Sequence, residues 1–254
     1  MPARAGGSHG HAGGMAVADA RVAVVLGGAG KVGSAIAQAF VRDGVRVVVP
    51  SRSRERLERL RARAGGDAPL VTLEADVGDE GGARTVLGEV LGRFGGYDHV
   101  VVSLGSFWRG PKAIETPLSV WRDRLHENFL THVIAAQVFL PPLLGRAGAS
   151  YIAINGMASD APRPGASLIC VTGVAQEMLV RQLAAEHRDA AVRIATVMLG
   201  PVRTEGTDPA LAEAHPEWLS ADEVGEFVAL VASPRAGMLH DTLIRLPSRP
   251  APKR

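Results

Sequence analysis

The chain has 254 residues, of which 46% are hydrophobic, and it carries a formal net charge of +2. This composition allows a sizeable core. It lacks a membrane-length apolar run and an arginine cluster interleaved with aromatics, so we expect neither a membrane nor a nucleic-acid partner. A single cysteine, Cys170, excludes a disulfide framework and a multi-cysteine metal site, and we expect no metal. Residues 1–20 lack periodicity and an apolar signal-peptide core, which predicts a disordered leader and a cytoplasmic protein.

The segment from Val22 to Val41 predicts a strand, a glycine-rich turn and a helix. Residues 22–26 form a short apolar run typical of a buried strand, and residues 35–41 open a helix. The turn between them contains four glycines, Gly27, Gly28, Gly30 and Gly33. In this context glycines favour a dinucleotide site, because the helix N-terminus offers free N–H groups to a pyrophosphate. The alternative is a tight turn that binds no ligand.

The end of the second predicted strand indicates which dinucleotide is bound. An acidic residue about 20 residues past the glycines would accept a hydrogen bond from the ribose of NAD. This chain has Ser51, Arg52 and Ser53 instead, and a guanidinium pairs with phosphate in a bidentate geometry. With Lys31 as a second cation, the pattern favours NADP over NAD. The arginines at 56–63 fit a solvated helix face.

The remaining segments alternate between strands and helices. Strands are predicted at 22–26, 45–49, 70–74, 97–104, 151–154, 192–198 and 239–246. Helices are predicted at 35–41, 82–94, 118–140, 168–186 and 221–231, and the polar insertion at 204–219 is expected to form a lid. This alternation predicts an α/β fold, a single Rossmann-type doubly wound parallel sheet of about seven strands with helices on both faces. We assign it to residues 21–248, followed by a tail at 249–254.

With these elements in place, the chain resembles the short-chain dehydrogenase/reductase family over nearly its whole length. The segments that carry the resemblance are the glycine loop 27–33, Asp76-Val77, Ser103-Leu104-Gly105, Glu127-Asn128-Phe129 and Gly200-Pro201-Val202-Arg203-Thr204. The glycine spacing is nearer to the branch of the family that has a glycine at every third residue.

The resemblance implies a nicotinamide cofactor, and the pattern at Ser51, Arg52 and Ser53 favours NADP(H). In the family, the Asp that corresponds to Asp76 contacts the adenine ring. The segment that corresponds to residues 200–204 holds the nicotinamide carboxamide. The implied cofactor residues are Gly27, Gly30, Lys31, Val32, Gly33, Ser51, Arg52, Ser53, Asp76, Val77, Ser103, Leu104, Gly105, Asn128, Gly200, Val202 and Thr204.

The family's catalytic motif is missing from this chain. Members use a Ser, a Tyr thirteen residues later and a Lys four residues after the Tyr; the Tyr donates the proton and the Lys lowers its pKa. Here Gly156, Ile169 and Gly173 occupy those positions. The two tyrosines of the chain, Tyr97 and Tyr151, stand at strand starts, which sheet geometry places away from the site.

Few other groups remain to handle a proton. Asn128 and His132 lie four residues apart on one helix face. As candidate catalytic residues, Asn128 would hold a water and His132 would donate a proton; otherwise both pack within the fold. Cys170 fits a small buried hydrophobe better than a nucleophile.

Substrate contacts are expected at the crevice where the strands end. Phe107, Trp108 and Met157 would suit a flat aromatic substrate, or they belong to the core. Arg163 and Ser159 lie on the loop after the fifth strand, and they either contact substrate or are solvated.

These features predict an NADPH-dependent reductase of a ketone or quinone that works without a Tyr, by substrate-assisted hydride transfer. A phenol bonded to the target ketone would stabilise the developing alkoxide. In lacking the Tyr, the chain resembles the branch of the family that acts on aromatic polyketides, such as the simocyclinone-type ketoreductases. This resemblance implies a biosynthetic role. Two alternatives stay open: a non-catalytic NADP-binding sensor or partner subunit, and a cyclase or isomerase that uses the pocket as a template. The resemblance also implies a homo-oligomer paired through helices 118–140 and 168–186.

Overall fold

A computed structural model describes residues 21–248, and strands and helices alternate along them as predicted. The strands are β1 (Val22–Leu26), β2 (Arg46–Ser51), β3 (Leu70–Glu74), β4 (His99–Val102), β5 (Ser150–Gly156), β6 (Arg193–Leu199), β7 (Val202–Arg203), β8 (Leu219–Ser220) and β9 (Leu243–Leu246). The helices are α1 (Gly33–Arg42), α2 (Arg54–Ala64), α3 (Glu80–Phe94), α4 (Leu118–Leu125), α5 (Thr131–Phe139), α6 (Ser167–Glu186), α7 (Pro209–Ala214) and α8 (Ala221–Ala232). The predicted leader 1–20 and tail 249–254 lie outside the described residues.

Seven strands form one parallel sheet in the order β3-β2-β1-β4-β5-β6-β9. The strand order reverses between β1 and β4, so a crevice opens at their carboxyl ends. This confirms the predicted doubly wound Rossmann-type sheet. The short strands β7 and β8 pair separately at the two ends of the predicted lid, residues 204–219, which also contains α7.

Alternate side chains of the strands feed two cores, one on each face of the sheet. In β1, Val22, Val24 and Leu26 point toward the core formed with α3 and α5. Ala23 and Val25 point toward the core formed with α1, α2 and α8. Because helices cover both faces, the strands are apolar on both sides, which explains why they read as continuous apolar runs in the sequence.

The helix predicted over 118–140 is interrupted by a π-helical turn, His126–Leu130, which joins α4 to α5. Such turns insert extra backbone into a helix and often mark functional sites. Asn128 lies in the middle of this turn and is only 3% exposed. The sequence pattern predicted the helix but contained no signal for the interruption.

Helix α6 is long and apolar enough to span a membrane on length and composition alone, with a mean hydropathy of 1.2. In the fold it packs against β5 and β6 and buries Thr172, Gln176 and Val180. Its outer surface carries an ion pair between Glu177 and Arg181. We therefore describe α6 as one of the helices that flank the sheet.

Among residues 21–248, two histidines are buried in the core, His99 at the start of β4 and His132 in α5. His99 Nδ1 lies 2.9 Å from Ser150 Oγ, and the ring stacks on Phe40. Burial, assisted by the charge of Arg21, lowers the pKa of His99 to about 4. Burial also lowers the pKa of His132 to about 4, so both rings are neutral at neutral pH.

These two histidines make the stability of the fold depend on pH. Between the ordinary histidine pKa of 6.5 and the folded value of about 4, the unfolded chain binds protons that the folded chain does not. The free energy of unfolding therefore falls as the pH falls through this window, by about 1.4 kcal/mol per pH unit for each histidine. We expect urea denaturation to show this slope, and the His132→Gln variant to show a shallower one. An identical slope in both proteins would contradict the assignment.

Candidate active site

Close backbone contacts hold the glycine turn between β1 and α1. Gly27 has a φ of +78°, and a Cβ there would lie 2.2 Å from the carbonyl oxygen of Ser103. A Cβ on Gly33 would lie 2.2 Å from the carbonyl oxygen of Gly27. The start of α1 has no side-chain cap and no acidic residue in its first turn. Its N-terminal N–H groups can therefore face an anion.

Basic side chains stand beside this turn. Arg52 follows β2, its side chain is 77% exposed, and its guanidinium lies 3.6 Å from a carboxylate oxygen of Asp76. Lys31 lines a cavity of about 240 Å³ together with three basic side chains of α2, Arg56, Arg59 and Arg63. The sequence interpretation of these arginines as a solvated face missed the cavity. Their spacing, which places them on one side of a helix, is the signal that points to it.

Five predicted cofactor segments come together at the carboxyl edge of the sheet. They are the glycine turn 27–33, 51–53, 76–77, 103–105 and 200–204. Ser53 also caps α2, because its side chain accepts a hydrogen bond from the N–H of Arg56. Ser51 Oγ in turn accepts from the N–H of Ser53 at 3.2 Å.

Asn128 fastens the loop that follows β4. Its Oδ1 accepts from the N–H of Ser106 at 2.8 Å, and its Nδ2 donates to the carbonyl of Ser106 at 3.1 Å. Its own carbonyl accepts a hydrogen bond from Gln176 Nε2 on α6. Asn128 therefore connects the loop after β4 to helix α6. Gln176 was not singled out from the sequence, although it lies three residues after Gly173 on the same helix.

His132 lies beneath this loop and not in the crevice. It is 2% exposed, and its Nε2 lies 3.3 Å from the carbonyl oxygen of Leu104. Because burial lowers its pKa to about 4, the ring is neutral and donates its N–H to that carbonyl. This placement argues against the predicted role of His132 as a proton donor and favours the packing alternative.

The positions of the family's Ser, Tyr and Lys surround the junction of β5 and α6. Gly156 ends β5 and has open space around it, and Ile169 is half-buried in the first turn of α6. At Gly173 a Cβ would lie 2.9 Å from Ser159 Cβ and 3.2 Å from Asn155 Oδ1. The space that a lysine would need at this position is already filled.

Asn155 ties these positions together through two hydrogen bonds. Its Nδ2 donates to the carbonyl of Gly173 at 2.8 Å, and its Oδ1 accepts from the N–H of Gly156 at 2.8 Å. Ser159 Oγ donates to the carbonyl of Gly156 at 3.1 Å. Hydrogen bonds and close packing therefore join Gly156, Gly173 and Ser159 at the junction of β5 and α6.

The predicted substrate residues do not share one pocket. Arg163 lines an open cavity of about 680 Å³ that borders α6 and the loop after β5. Phe107, Trp108 and Met157 lie outside the residues that line this cavity. Phe107 is 75% exposed, so it is not a core residue, whereas Trp108 and Met157 are half-buried.

Two loops meet at the rim of this larger cavity. The N–H of Gly110, on the loop after β4, donates to the carbonyl of Gly165 at 3.0 Å. Cys170 is half-buried and also lines the cavity, with its Sγ 3.8 Å from the carbonyl oxygen of Ala161. It is therefore not the fully enclosed hydrophobe that the sequence favoured.

A family model for short chain dehydrogenases matches residues 21–214. The chain belongs to the short-chain dehydrogenase family. Human dehydrogenase/reductase SDR family member 2, mitochondrial, is 28% identical over 186 residues, which cover 73% of this chain and 66% of that protein. Rat L-fucose dehydrogenase is 28% identical over 229 residues, which cover 88% of this chain and 75% of that protein.

Solved structures share the fold of this short-chain dehydrogenase. A short chain dehydrogenase from Burkholderia cenocepacia, in complex with NADP, has a TM-score of 0.79 and 24% identity, covering 90% of this chain and 97% of that one. A short-chain dehydrogenase/reductase from Serratia marcescens also has a TM-score of 0.79, with 23% identity, covering 90% and 96%.

The family consists of oxidoreductases that use nicotinamide cofactors, and the glycine turn of this member fits such a group. At Gly27 and Gly33 the turn keeps the backbone free of side chains, and the uncapped start of α1 suits a diphosphate. Lys31 and Arg52 add positive charge at the same edge. The residues present are therefore consistent with a nicotinamide dinucleotide.

The close packing around Gly173 makes the stability of the fold sensitive to a side chain at this position. Gly→Ala inside a helix normally stabilises by about 0.5–1 kcal/mol. We expect Gly173→Ala instead to lower the free energy of unfolding by about 1–3 kcal/mol, because the added Cβ overpacks against Ser159 and Asn155. Gly88→Ala is the matched control, since a Cβ on Gly88 in α3 meets nothing within 4 Å. Urea denaturation that finds both variants equally stabilised would contradict the packing at Gly173.

Proposed function

We propose that this chain is an NADPH-dependent reductase of ketone or quinone substrates, of the aromatic polyketide kind, and that the substrate supplies the acid. One observation carries the proposal. The glycine turn between β1 and α1 is complete. At Gly173, where the family has its lysine, Asn155 and Ser159 leave no space for a side chain. The chain therefore has the glycines that a dinucleotide requires, whereas Gly156, Ile169 and Gly173 occupy the positions of the family's Ser, Tyr and Lys.

Charge at the ribose end of the site supports NADPH as the cofactor. Arg52 is exposed, and its partner Asp76 lies at the loose distance of 3.6 Å, so the guanidinium can turn to a phosphate. Ser51 and Ser53 stand where an NAD-binding protein would place a carboxylate. The solved relative from Burkholderia cenocepacia is in complex with NADP, in agreement with this assignment.

The chain's own residues would position the substrate and not protonate it. The bound cofactor supplies a hydride. Gly156 leaves open space at the end of β5, where a carbonyl can approach the backbone without displacing a side chain. Asn155 holds this backbone through the N–H of Gly156. Negative charge on the substrate oxygen must still be met by a donor, and a phenol next to the ketone can serve.

The larger cavity supports a flat aromatic substrate. Its volume of about 680 Å³ is within the range of small-molecule sites. Most of its exposed lining is apolar, as at Pro162 and Pro164, and the lining also includes three charged side chains, those of Lys112, Asp160 and Arg163. Trp108, half-buried on the neighbouring loop, would contribute from the crevice side.

A matched pair of substrates tests the proposal. NADPH binding is first measured by nicotinamide fluorescence. NADPH oxidation is then followed with a ketone or quinone that carries an adjacent phenol, and with its methyl ether. We expect turnover of the phenol and at least about a hundredfold slower turnover of the ether, because general acid catalysis contributes at least that factor. Equal turnover of both would contradict substrate assistance.

The same experiment separates two other functions. The bonds from Asn155 to Gly173 and from Gln176 to Asn128 also suit a non-catalytic NADP-binding sensor or partner subunit. NADPH binding with no turnover on any carbonyl would support that function. A chain that binds no NADPH would instead fit a cyclase or isomerase that uses the cavity as a template.

We also propose that the chain works in the cytoplasm as a homo-oligomer. Helix α6 exposes Met178, which does not line the larger cavity, and α4, which packs against α6, exposes Leu118. Exposed apolar surface of this kind marks association sites. The molar mass from light scattering would be that of a dimer or a larger assembly.

A further inference from the structure

The first turn of α6 borders the larger cavity and offers groups that favour an anion. Ser167 and Cys170, both in this turn, line the cavity. The start of α6 has no side-chain cap and no acidic residue in its first turn. The first N–H groups of a helix have no partners within the helix and carry partial positive charge. This end of the cavity therefore suits negative charge.

Arg163, on the loop before α6, adds a positive charge that no acidic side chain neutralises. It lines the cavity, it is exposed, and its guanidinium has no carboxylate partner within the described part of the chain. The other two charged side chains of the lining are paired. Asp160 lies 2.9 Å from Arg245, and Lys112 lies 3.8 Å from Glu115. The charges of the lining therefore leave the cation of Arg163 unbalanced.

Ser167 supplies a hydrogen-bond donor that has no acceptor. Its Oγ is buried, and it has no hydrogen-bond partner among residues 21–248. A buried hydroxyl without a partner is unfavourable, and folded proteins rarely keep one. A bound group that accepts a hydrogen bond from Ser167 would remove this cost. Arg163 and Ser167 therefore favour the same kind of ligand group, a negatively charged acceptor.

The rest of the lining indicates how much charge the ligand carries. Pro162, Pro164 and Val174 require an apolar body beside the charged group. The carboxylate of Asp160 also belongs to the lining, so it would repel a phosphate monoester, which carries about two negative charges. A carboxylate has one negative charge and accepts bidentate hydrogen bonds from arginine. The cavity therefore fits a flat apolar acid better than a phosphate.

We propose that the substrate carries a carboxylate, which binds to Arg163, Ser167 and the first turn of α6. The inference rests on the proposed function, because it takes the larger cavity as the substrate site. Gly156, where the ketone would approach, does not line this cavity. The carboxylate therefore holds the ring system at a distance from the ketone and takes no part in hydride transfer. The substrate class is an aromatic keto acid or quinone acid.

Two probes of matched shape test the carboxylate. The 2-naphthoate ion has a flat apolar body and one negative charge, and 2-naphthamide has nearly the same shape without the charge. Isothermal titration calorimetry on the full chain gives both dissociation constants. We expect naphthoate to bind about fivefold more tightly, the scale of an exposed ion pair, and high salt to remove most of the difference. Equal affinity of the two probes at low salt would overturn the proposal.

Three variants locate the bound carboxylate. Arg163→Gln removes the unbalanced charge and should weaken naphthoate binding about fivefold, with naphthamide binding unchanged. Ser167→Ala should weaken naphthoate binding about threefold without lowering the free energy of unfolding, because it also removes an unpaired buried hydroxyl. Arg188→Gln is the control with the same change in charge as Arg163→Gln, since Arg188 follows the other end of α6 and pairs with Asp189 at 3.9 Å. Naphthoate affinity that is identical in Arg163→Gln and the wild type would overturn the site.

A ketone acid and its amide extend the test to turnover. We expect the wild type to show a KM about fivefold lower for the acid and the same kcat for both, because the carboxylate makes the same contacts before and during hydride transfer. Arg163→Gln should remove the difference in KM. If Arg163→Gln lowered kcat and left KM unchanged, Arg163 would act at the reacting atoms and the proposal would be wrong.

The outcomes separate this proposal from the function on which it rests. Naphthoate binding that depends on Arg163, in a protein that oxidises NADPH with no carbonyl compound, would overturn the proposed function and support the carboxylate site. Turnover of ketones with equal KM for the acid and the amide would overturn only the carboxylate site.

Discussion

The backbone contact at the glycine turn is the constraint around which the site is arranged. A Cβ at Gly27 or Gly33 would lie 2.2 Å from a carbonyl oxygen, so the end of β1, the start of α1 and the turn after β4 meet without side chains between them. This contact lies between β1 and β4, where the strand order of the sheet reverses. The reversal opens the crevice at the carboxyl ends of these strands. Lys31 belongs to this turn, and Arg52 follows the neighbouring strand β2.

At the junction of β5 and α6, side chains of the chain itself occupy the space beside the backbone. Asn155 bonds the backbone of both Gly156 and Gly173, and Ser159 occupies the space beside Gly173. Gln176 bonds the carbonyl of Asn128 in the π-helical turn. The chain therefore combines a glycine turn that fits a dinucleotide with a packed, hydrogen-bonded junction between β5 and α6. A side chain at position 173 would require Asn155 and Ser159 to move as well.

Much of the fold could be predicted from the sequence, because apolar runs, glycines and short connections are local signals. Two examples are the strand at 70–74 and the parallel direction of the strands in the sheet. The π-helical turn carries no such signal, since it depends on how α4 and α5 pack. The pairing of Glu205 with Arg63 joins residues far apart in the chain, and the burial that neutralises His132 depends on tertiary packing. The sequence analysis singled out His132 but not its burial, and it contained no signal for Glu205.

We propose that the substrate, and not the chain, supplies the acid. The most direct measurement is the pH profile of NADPH oxidation with two ketones whose adjacent phenols differ in pKa. If the substrate supplies the acid, the pH at which the rate falls follows the phenol and moves with its pKa from one substrate to the other. An inflection at the same pH for both substrates would assign the proton to a group of the protein and contradict the account.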